Sequence, residues 1–344
     1  MAIPRLDLKK NSNLSPHVVI LGAGASLAAL PDGDKFGAKL PLMSNIVEVL
    51  GLEEIIKKYG AEYSSGNFEE FYDELSKFET NEELLVELEK CIEDYFDIMD
   101  LPDEATIYDY LVLSLRSKDI IATFNWDPFL AKAFQRNGEK IGYENLPQIV
   151  FLHGNVSIGI CKECKRKGWV NCICNVCQNI LKPSKLLYPV GDKDYSKDPF
   201  IFNEWETLQN YLQSAYFVTI FGYSAPKTDL EARKLLLEVW TKNQINEFAI
   251  IEVVDLKDEK LIEDAWKDFI IGDNFGVYDN IFKTYMSSHP RRSCDAFAMA
   301  TLQQNPWREN KLPMTTSLHE LQEWIKPLIR EEKNEWLSGK PCLR

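Results

Sequence analysis

Six short apolar runs, separated by helical patterns, constrain this chain more than any other feature. They lie at residues 17–21, 119–124, 148–152, 215–221, 247–254 and 281–286. Each carries valine, isoleucine or phenylalanine and is too short for a helix, so each reads as a buried strand. Between them, apolar residues recur at spacings of three and four, the helical period. Strands that alternate with helices imply an α/β fold with a doubly wound, Rossmann-like parallel sheet. In such a sheet ligands bind beyond the carboxyl ends of the strands. The residues that follow each run are therefore the candidates for function.

The first run passes into Gly22-Ala23-Gly24-Ala25-Ser26. Glycine lacks a Cβ, so a turn of this kind lets a diphosphate approach the backbone closely. Leu27 stands where the GxGxxG fingerprint has its third glycine, and on these residues alone a plain tight turn fits as well. The second run ends in Asn125-Trp126-Asp127-Pro128 and leads into a helix expected over 129–137, closed by Gly138. The third ends in His153-Gly154-Asn155 and the fourth in Gly222-Tyr223-Ser224. Asn125 and Asp127 also suit a helix cap, and His153 a turn. Residues 31–41, with two prolines and two glycines, form a long loop, either a binding loop or a surface excursion.

Five of the eight cysteines fall between Cys161 and Cys177. Crowding of this kind in a chain whose first residues lack a secretory signal points to metal rather than disulfides. Two CxxC pairs in a short polar segment are a zinc signature. The expected ligands are Cys161, Cys164, Cys174 and Cys177, with Cys172 as a substitute for Cys174. Four sulfurs make a closed, structural site. Residues 43–115 are helical and acidic, with Phe68, Phe71, Tyr72 and Leu75, then Leu84, Leu88 and Ile92, on apolar faces. That span reads as an insertion without chemistry of its own. Residues 316–333 form an amphipathic helix kinked at Pro327.

The formal net charge of −14 disfavours direct nucleic-acid binding, which needs excess lysine and arginine. No apolar run reaches the roughly 20 residues of a membrane span, and the default compartment is the cytoplasm.

Taken in order, these motifs resemble the sirtuin superfamily. Gly22–Ser26 is similar to its GAGxS cofactor loop, and Thr123-Phe124-Asn125-Trp126-Asp127 to its TQNID signature. Phe151-Leu152-His153-Gly154 is similar to its histidine-glycine motif, ahead of the zinc module, and Gly222-Tyr223-Ser224 to its GxS turn. The resemblance implies an NAD-binding Rossmann-like domain from residues 17–42, 116–155 and 214–290. A smaller domain would comprise the helical insertion 43–115 and a zinc ribbon at 156–190. A lead-in (1–16) and a C-terminal helical segment (291–344) would complete the chain. It further implies NAD as substrate and one structural zinc. Gly22, Ala23, Gly24 and Ser26 would hold the diphosphate and nearby ribose. Asn125 and Asp127 would line the nicotinamide-ribose pocket, with His153 as general base. Gly222 and Ser224 would touch the adenosine side.

Two departures separate this chain from deacylating sirtuins. Their GIPDFR-type loop is replaced by ALPDGDKFGAKLP, with no arginine after Pro31-Asp32. Their FGExLP stretch, which pairs with the acyl-peptide, is replaced by Leu186-Leu187-Tyr188-Pro189-Val190-Gly191-Asp192. The combination resembles bacterial sirtuin-like NAD hydrolases of anti-phage defence. That resemblance implies restraint by homo-oligomerisation or by a partner protein from the same locus. Deacylation, ADP-ribosyl transfer and nucleotide binding without turnover are the alternatives.

Overall fold

The computed structural model describes residues 15–190, 195–224, 229–271, 274–302 and 304–338. Strand β1 (His17–Leu21) enters helix α1 (Ala23–Ala29). Then come α2 (Ile46–Leu50), α3 (Glu53–Lys58), α4 (Phe68–Ser76), α5 (Glu82–Asp97) and α6 (Ile107–Ser114). Strand β2 (Ile120–Thr123), α7 (Phe129–Ile141) and β3 (Gln148–Phe151) follow. A separate three-stranded sheet holds β4 (Ile158–Ile160), β5 (Lys167–Trp169) and β6 (Lys182–Pro183). The chain returns through α8 (Pro199–Leu212), β7 (Phe217–Phe221), α9 (Leu230–Trp240), β8 (Ile250–Val254), α10 (Glu259–Trp266) and β9 (Phe275–Tyr278). It finishes with α11 (Tyr285–Ser288), α12 (Ser293–Thr301) and α13 (Leu318–Ser338).

The main sheet has the order β3-β2-β1-β7-β8-β9, and every pair is parallel. From β1 the chain builds outward through β2 to β3. It then crosses back and builds the other way through β7, β8 and β9. The direction of winding therefore reverses between β1 and β7. Strands β1, β2, β3 and β7 are buried along their whole length. Helices cover both faces, which is why these strands are continuous apolar runs rather than alternating ones.

Four sequence expectations shift. The last strand is β9 at Phe275–Tyr278, not residues 281–286, which form a 3-10 turn leading into α11. The apolar residues there are buried by turn spacing. The Asn280 side chain accepts the Phe282 N–H, and Thr284 caps α11. Helix α7 runs through Gly138 and stops at Ile141, where Gly142 takes a left-handed φ of 88°. Gly138 is a packing glycine, since a Cβ there would lie 2.3 Å from the Tyr143 ring. Strand β8 begins at Ile250, with residues 246–248 in a 3-10 turn, and the C-terminal helix expected over 316–333 runs from Leu318 to Ser338.

Two ties hold distant segments to the sheet. Arg291 is buried and donates to the carbonyls of Leu113, Leu115 and Asn145. It also grips Glu332 of α13 with both carboxylate oxygens, at 2.5 and 2.8 Å. A two-pronged guanidinium–carboxylate pair holds geometry as well as charge. On the outer side of β3, the Glu204 carboxylate accepts the Phe151 N–H at 2.9 Å. Lys167 from β5 bonds Glu204 and the Ile149 carbonyl. One ion pair thus satisfies the edge strand and docks the three-stranded sheet on it. No described helix is long and apolar enough to cross a membrane.

Glu252 sits fully buried on β8, in register with Thr219 and Gly276, its Oε1 accepting the Tyr285 N–H at 2.7 Å. Burial pushes its carboxyl up to about 7. A raised folded-state value means stability is full below the ordinary carboxylate range and is lost as pH rises through 7. Urea unfolding at pH 5 and pH 8 should show the protein losing up to about 3 kcal/mol more than its Glu252→Gln variant over that interval.

Candidate functional site

The reversal between β1 and β7 creates a crevice at their carboxyl ends, the usual ligand position in an open α/β sheet. Both strands leave it through glycine. The Gly22 N–H donates to the Phe221 carbonyl at 3.0 Å, and the Gly24 N–H to the Gly222 carbonyl at 3.0 Å. A Cβ on Gly22 would stand 2.6 Å from the Gly222 oxygen, and one on Gly24 2.7 Å from the Gly222 Cα. Gly222 itself has a left-handed φ of 63°, and a Cβ there would stand 2.2 Å from the Ala25 nitrogen. The glycines are therefore required where two turns interlock. The Gly24 amide is spent on that contact, so of the turn residues Ala23 is the exposed one at the head of α1.

Ser26 converges beside this turn with Asn125 and Asp127, which lie 99 and 101 residues further along the chain. The Ser26 Oγ donates to Asp127 Oδ2 at 2.5 Å and accepts from Asn125 Nδ2 at 2.8 Å. Asn125 Nδ2 also donates to the Gly22 carbonyl at 2.9 Å. These bonds fix the amide orientation and leave Oδ1 as its acceptor face. Asp127 Oδ1 accepts the Phe129 N–H at 3.2 Å, so this residue does serve the start of α7 as well. Burial raises the Asp127 carboxyl to about 6, against the pull of the Ser26 bond. Asn155 braces the loop from below, donating to the Asp127 carbonyl at 2.6 Å.

Sequence reasoning missed Tyr108. It lies on α6, inside the stretch read as having no chemistry, and is fully buried. Its hydroxyl meets Ser26 Oγ at 2.5 Å and lies 3.3 Å from Asn125 Nδ2. With Ser26 donating to Asp127, the phenol donates to Ser26 and completes its coordination. Helix α6 is itself locked. Its capping box pairs Thr106 with Asp109, and Asp109 accepts from Arg136 and Asn137 of α7. Nothing local in the sequence marks Tyr108, because its buried neighbours make it look like core.

His153, just past β3, does not bond to this cluster. Its ring stands edge-on to Phe124 at 4.9 Å, and its Nε2 lies 2.8 Å from the Tyr195 hydroxyl. Tyr195 in turn donates to Asp229 at 2.7 Å. Ser224 is exposed at the mouth of the crevice, one residue past Tyr223, whose ring stacks on Phe124 at 4.1 Å. Tyr188 and Leu186 are buried, with the Tyr188 ring 5.3 Å from Tyr72 and 5.0 Å from Trp126. The Leu187 N–H donates to the His153 carbonyl at 2.9 Å, which pins this segment beside the site. The loop at 31–41 is folded rather than open. Asp34 accepts from Phe36, Ala38 and Asp100.

The four expected cysteines come together. The sulfurs of Cys161, Cys164, Cys174 and Cys177 lie within 4.8 Å of one another, and Cys172 is outside the group. Zinc bound to four thiolates at about 2.3 Å separates the sulfurs by about 3.8 Å, so the set fits such an ion. The residues after each pair, Lys165 and Gln178, take left-handed φ values of 51° and 62°. Each returns its N–H to the carbonyl of the first cysteine of its pair, Cys161 or Cys174, at 2.8 and 3.0 Å. Both pairs are thus folded as tight knuckles that aim two thiols inward. Among the described residues the apolar core of this unit is Leu181 with the cysteines, too small to hold three strands without metal.

No protein-family model and no curated protein matches the chain. Among solved structures it is similar to one described as Sir2 with p53 peptide and NAD+, at 14% identity over 87% of this chain and 99% of that one, with a TM-score of 0.39. A structure described under the structural basis of sirtuin substrate affinity is 16% identical over 79% and 92%, with a TM-score of 0.38. A Sir2 homologue mutant in complex with ADP ribose is 12% identical over 76% and 94%, with a TM-score of 0.34.

Two measurements check this geometry. Metal analysis should find about one zinc per chain, retained in Cys172→Ser and lost in Cys174→Ser. Tyr108→Phe keeps the ring and removes one buried hydrogen bond, so its urea midpoint should fall by an amount equal to about 1 kcal/mol.

Proposed function

We propose that this chain is an NAD+ hydrolase of sirtuin-like type that cleaves the bond between nicotinamide and ribose. The observation that carries the reading is the convergence of Ser26, Asn125 and Asp127 beside the glycine interlock at the sheet reversal, with His153 at the end of the neighbouring strand. These are the residues through which the sequence resembles the sirtuin cofactor motifs. The crevice would take the diphosphate and adenosine between the Gly22 and Gly222 turns. The four-cysteine unit would hold a structural zinc away from the reaction.

Nicotinamide is attached as a cationic pyridinium and departs neutral, so its departure needs no acid. The sugar becomes positive as the bond lengthens. The site must orient the ribose, stabilise that charge and position a water. Asn125 is bound through its nitrogen to Gly22 and Ser26, and its Oδ1 is suited to accept from a water on the ribose face. Asp127 places a carboxyl near the positive sugar. His153 would take a proton from that water or from a ribose hydroxyl.

The Tyr188 segment supports hydrolysis over deacylation. It packs against Trp126 and Tyr72, where the deacylases carry their peptide-pairing stretch. By the same resemblance, an effector of anti-phage defence would be held in check by self-assembly or by a neighbouring gene product.

Purified protein, alone and with the proteins encoded beside it, should convert NAD+ to nicotinamide and ADP-ribose. Asn125→Ala and His153→Ala should each lower turnover by at least about a hundredfold. Unchanged turnover in Asn125→Ala would overturn the assignment. Acyl-ADP-ribose formed with an acyl-peptide would replace hydrolysis by deacylation.

A further inference from the structure

We infer that Tyr195 and Asp229 are positioning residues that hold His153 in the Nε2–H tautomer and so make Nδ1 its basic atom. The inference rests on the reading of His153 as general base and adds how that base is set.

Three side chains carry it, each at least nine-tenths buried: His153 at 8% exposure, Tyr195 at 4% and Asp229 at 3%. They come from the end of β3, the segment before α8 and the start of α9. His153 Nε2 lies 2.8 Å from the Tyr195 oxygen, and the Tyr195 hydroxyl donates to Asp229 Oδ1 at 2.7 Å. Asp229 Oδ2 stands 3.5 Å from the same Nε2. A phenol has one proton, and a carboxylate only accepts. If the Tyr195 proton goes to Asp229, the Tyr195 oxygen must accept from His153. The ring proton is then on Nε2, and the lone pair of the neutral imidazole is on Nδ1. The Phe124 edge contact and the near-parallel Tyr195 ring, 14° off and 5.7 Å away, hold the imidazole against rotation.

Proton transfer balances along this line. An O–H bond of ribose or water breaks, its electron pair stays on oxygen, and an N–H bond forms at Nδ1. The ring becomes an imidazolium whose Nε2–H already points at Tyr195 and whose charge faces the Asp229 carboxylate. Tyr195 does not compete for the proton, because burial and Asp229 hold its phenol far above the ordinary range. Among the described residues, Tyr223 after β7 and Glu231 on α9 also act on Tyr195, and Arg233 on α9 acts on Tyr223. Glu69 of α4 acts on Tyr223 from farther off. The arrangement follows the general logic of a base oriented by a third group.

The test reads the ring without substrate. The chain has four histidines, so long-range proton–nitrogen spectra of histidine-labelled protein are tractable, with His153→Gln assigning the signal. His153 should be Nε2–H in the wild-type protein and a tautomer mixture in Tyr195→Phe. Asp229→Asn should lower the pH at which the ring protonates. In NAD+ turnover, Tyr195→Phe should lower kcat at least about tenfold with KM changed less than about twofold, and Asp229→Asn should move the acid limb of the pH profile down. A wild-type ring protonated on Nδ1, or a ring unchanged by Tyr195→Phe, overturns the inference even if hydrolysis depends on His153. The expected spectra together with full turnover in His153→Ala would instead overturn the reading of His153 as general base and leave the tautomer assignment standing.

Discussion

The contact between Gly22–Gly24 and Gly222 is the constraint on which the rest of the molecule depends. Strands β1 and β7 are neighbours but point their following turns at the same space. Only backbone fits between them, with three candidate Cβ positions at 2.2 to 2.7 Å from other main-chain atoms. Because the turns interlock, α1 starts directly over β7, and Ser26 arrives one helical turn later beside the end of β2. Any side chain at Gly22, Gly24 or Gly222 would pry apart the two halves of the sheet where the crevice lies. The glycines that the sequence offers as a ligand cradle are thus first a structural joint. Closeness to a ligand would be a second use of the same missing atoms.

From that joint the polar cluster follows by exact satisfaction of hydrogen-bond capacity. Ser26 gives one proton and accepts two, and Asn125 spends both amide hydrogens on Gly22 and Ser26. In a buried setting such a network is costly to break at any member and correspondingly stiff. It presents a defined acceptor, Asn125 Oδ1, and a carboxyl whose charge burial disfavours. His153 belongs to a second, separate line through Tyr195 and Asp229, joined to the first by the Phe124 ring and by the backbone that Asn155 braces.

Much of this was legible in the sequence, for a physical reason. Parallel strands covered on both faces must be apolar throughout, so β1, β2, β3, β7 and β8 stand out as runs. The side chains of Asn125, Asp127 and His153 follow such runs directly, and CxxC spacing is itself a geometry. What escaped lacks a local mark. Strand β9 is only partly buried and contains Gly276, so its pattern is weaker than that of the turn at 281–286. Tyr108 looks like any aromatic in a buried helix. Tyr195 and Asp229 act on His153 from 42 residues and more away, through contacts that exist only once the sheet has closed.

The clamp on α13 has a consequence for when this protein becomes competent. Gln322 donates to Asn137, which donates to Asp109, which caps the helix carrying Tyr108. Arg291 and Glu332 close the same end of the molecule. During synthesis the first strand leaves the ribosome roughly 200 residues before its partner β7, and the Gln322 and Glu332 anchors come later still. With domains generally folding as units, the nascent chain has no finished crevice before then. The crevice is finished only once the Gln322 and Glu332 anchors have emerged, a delay built into the order of the chain.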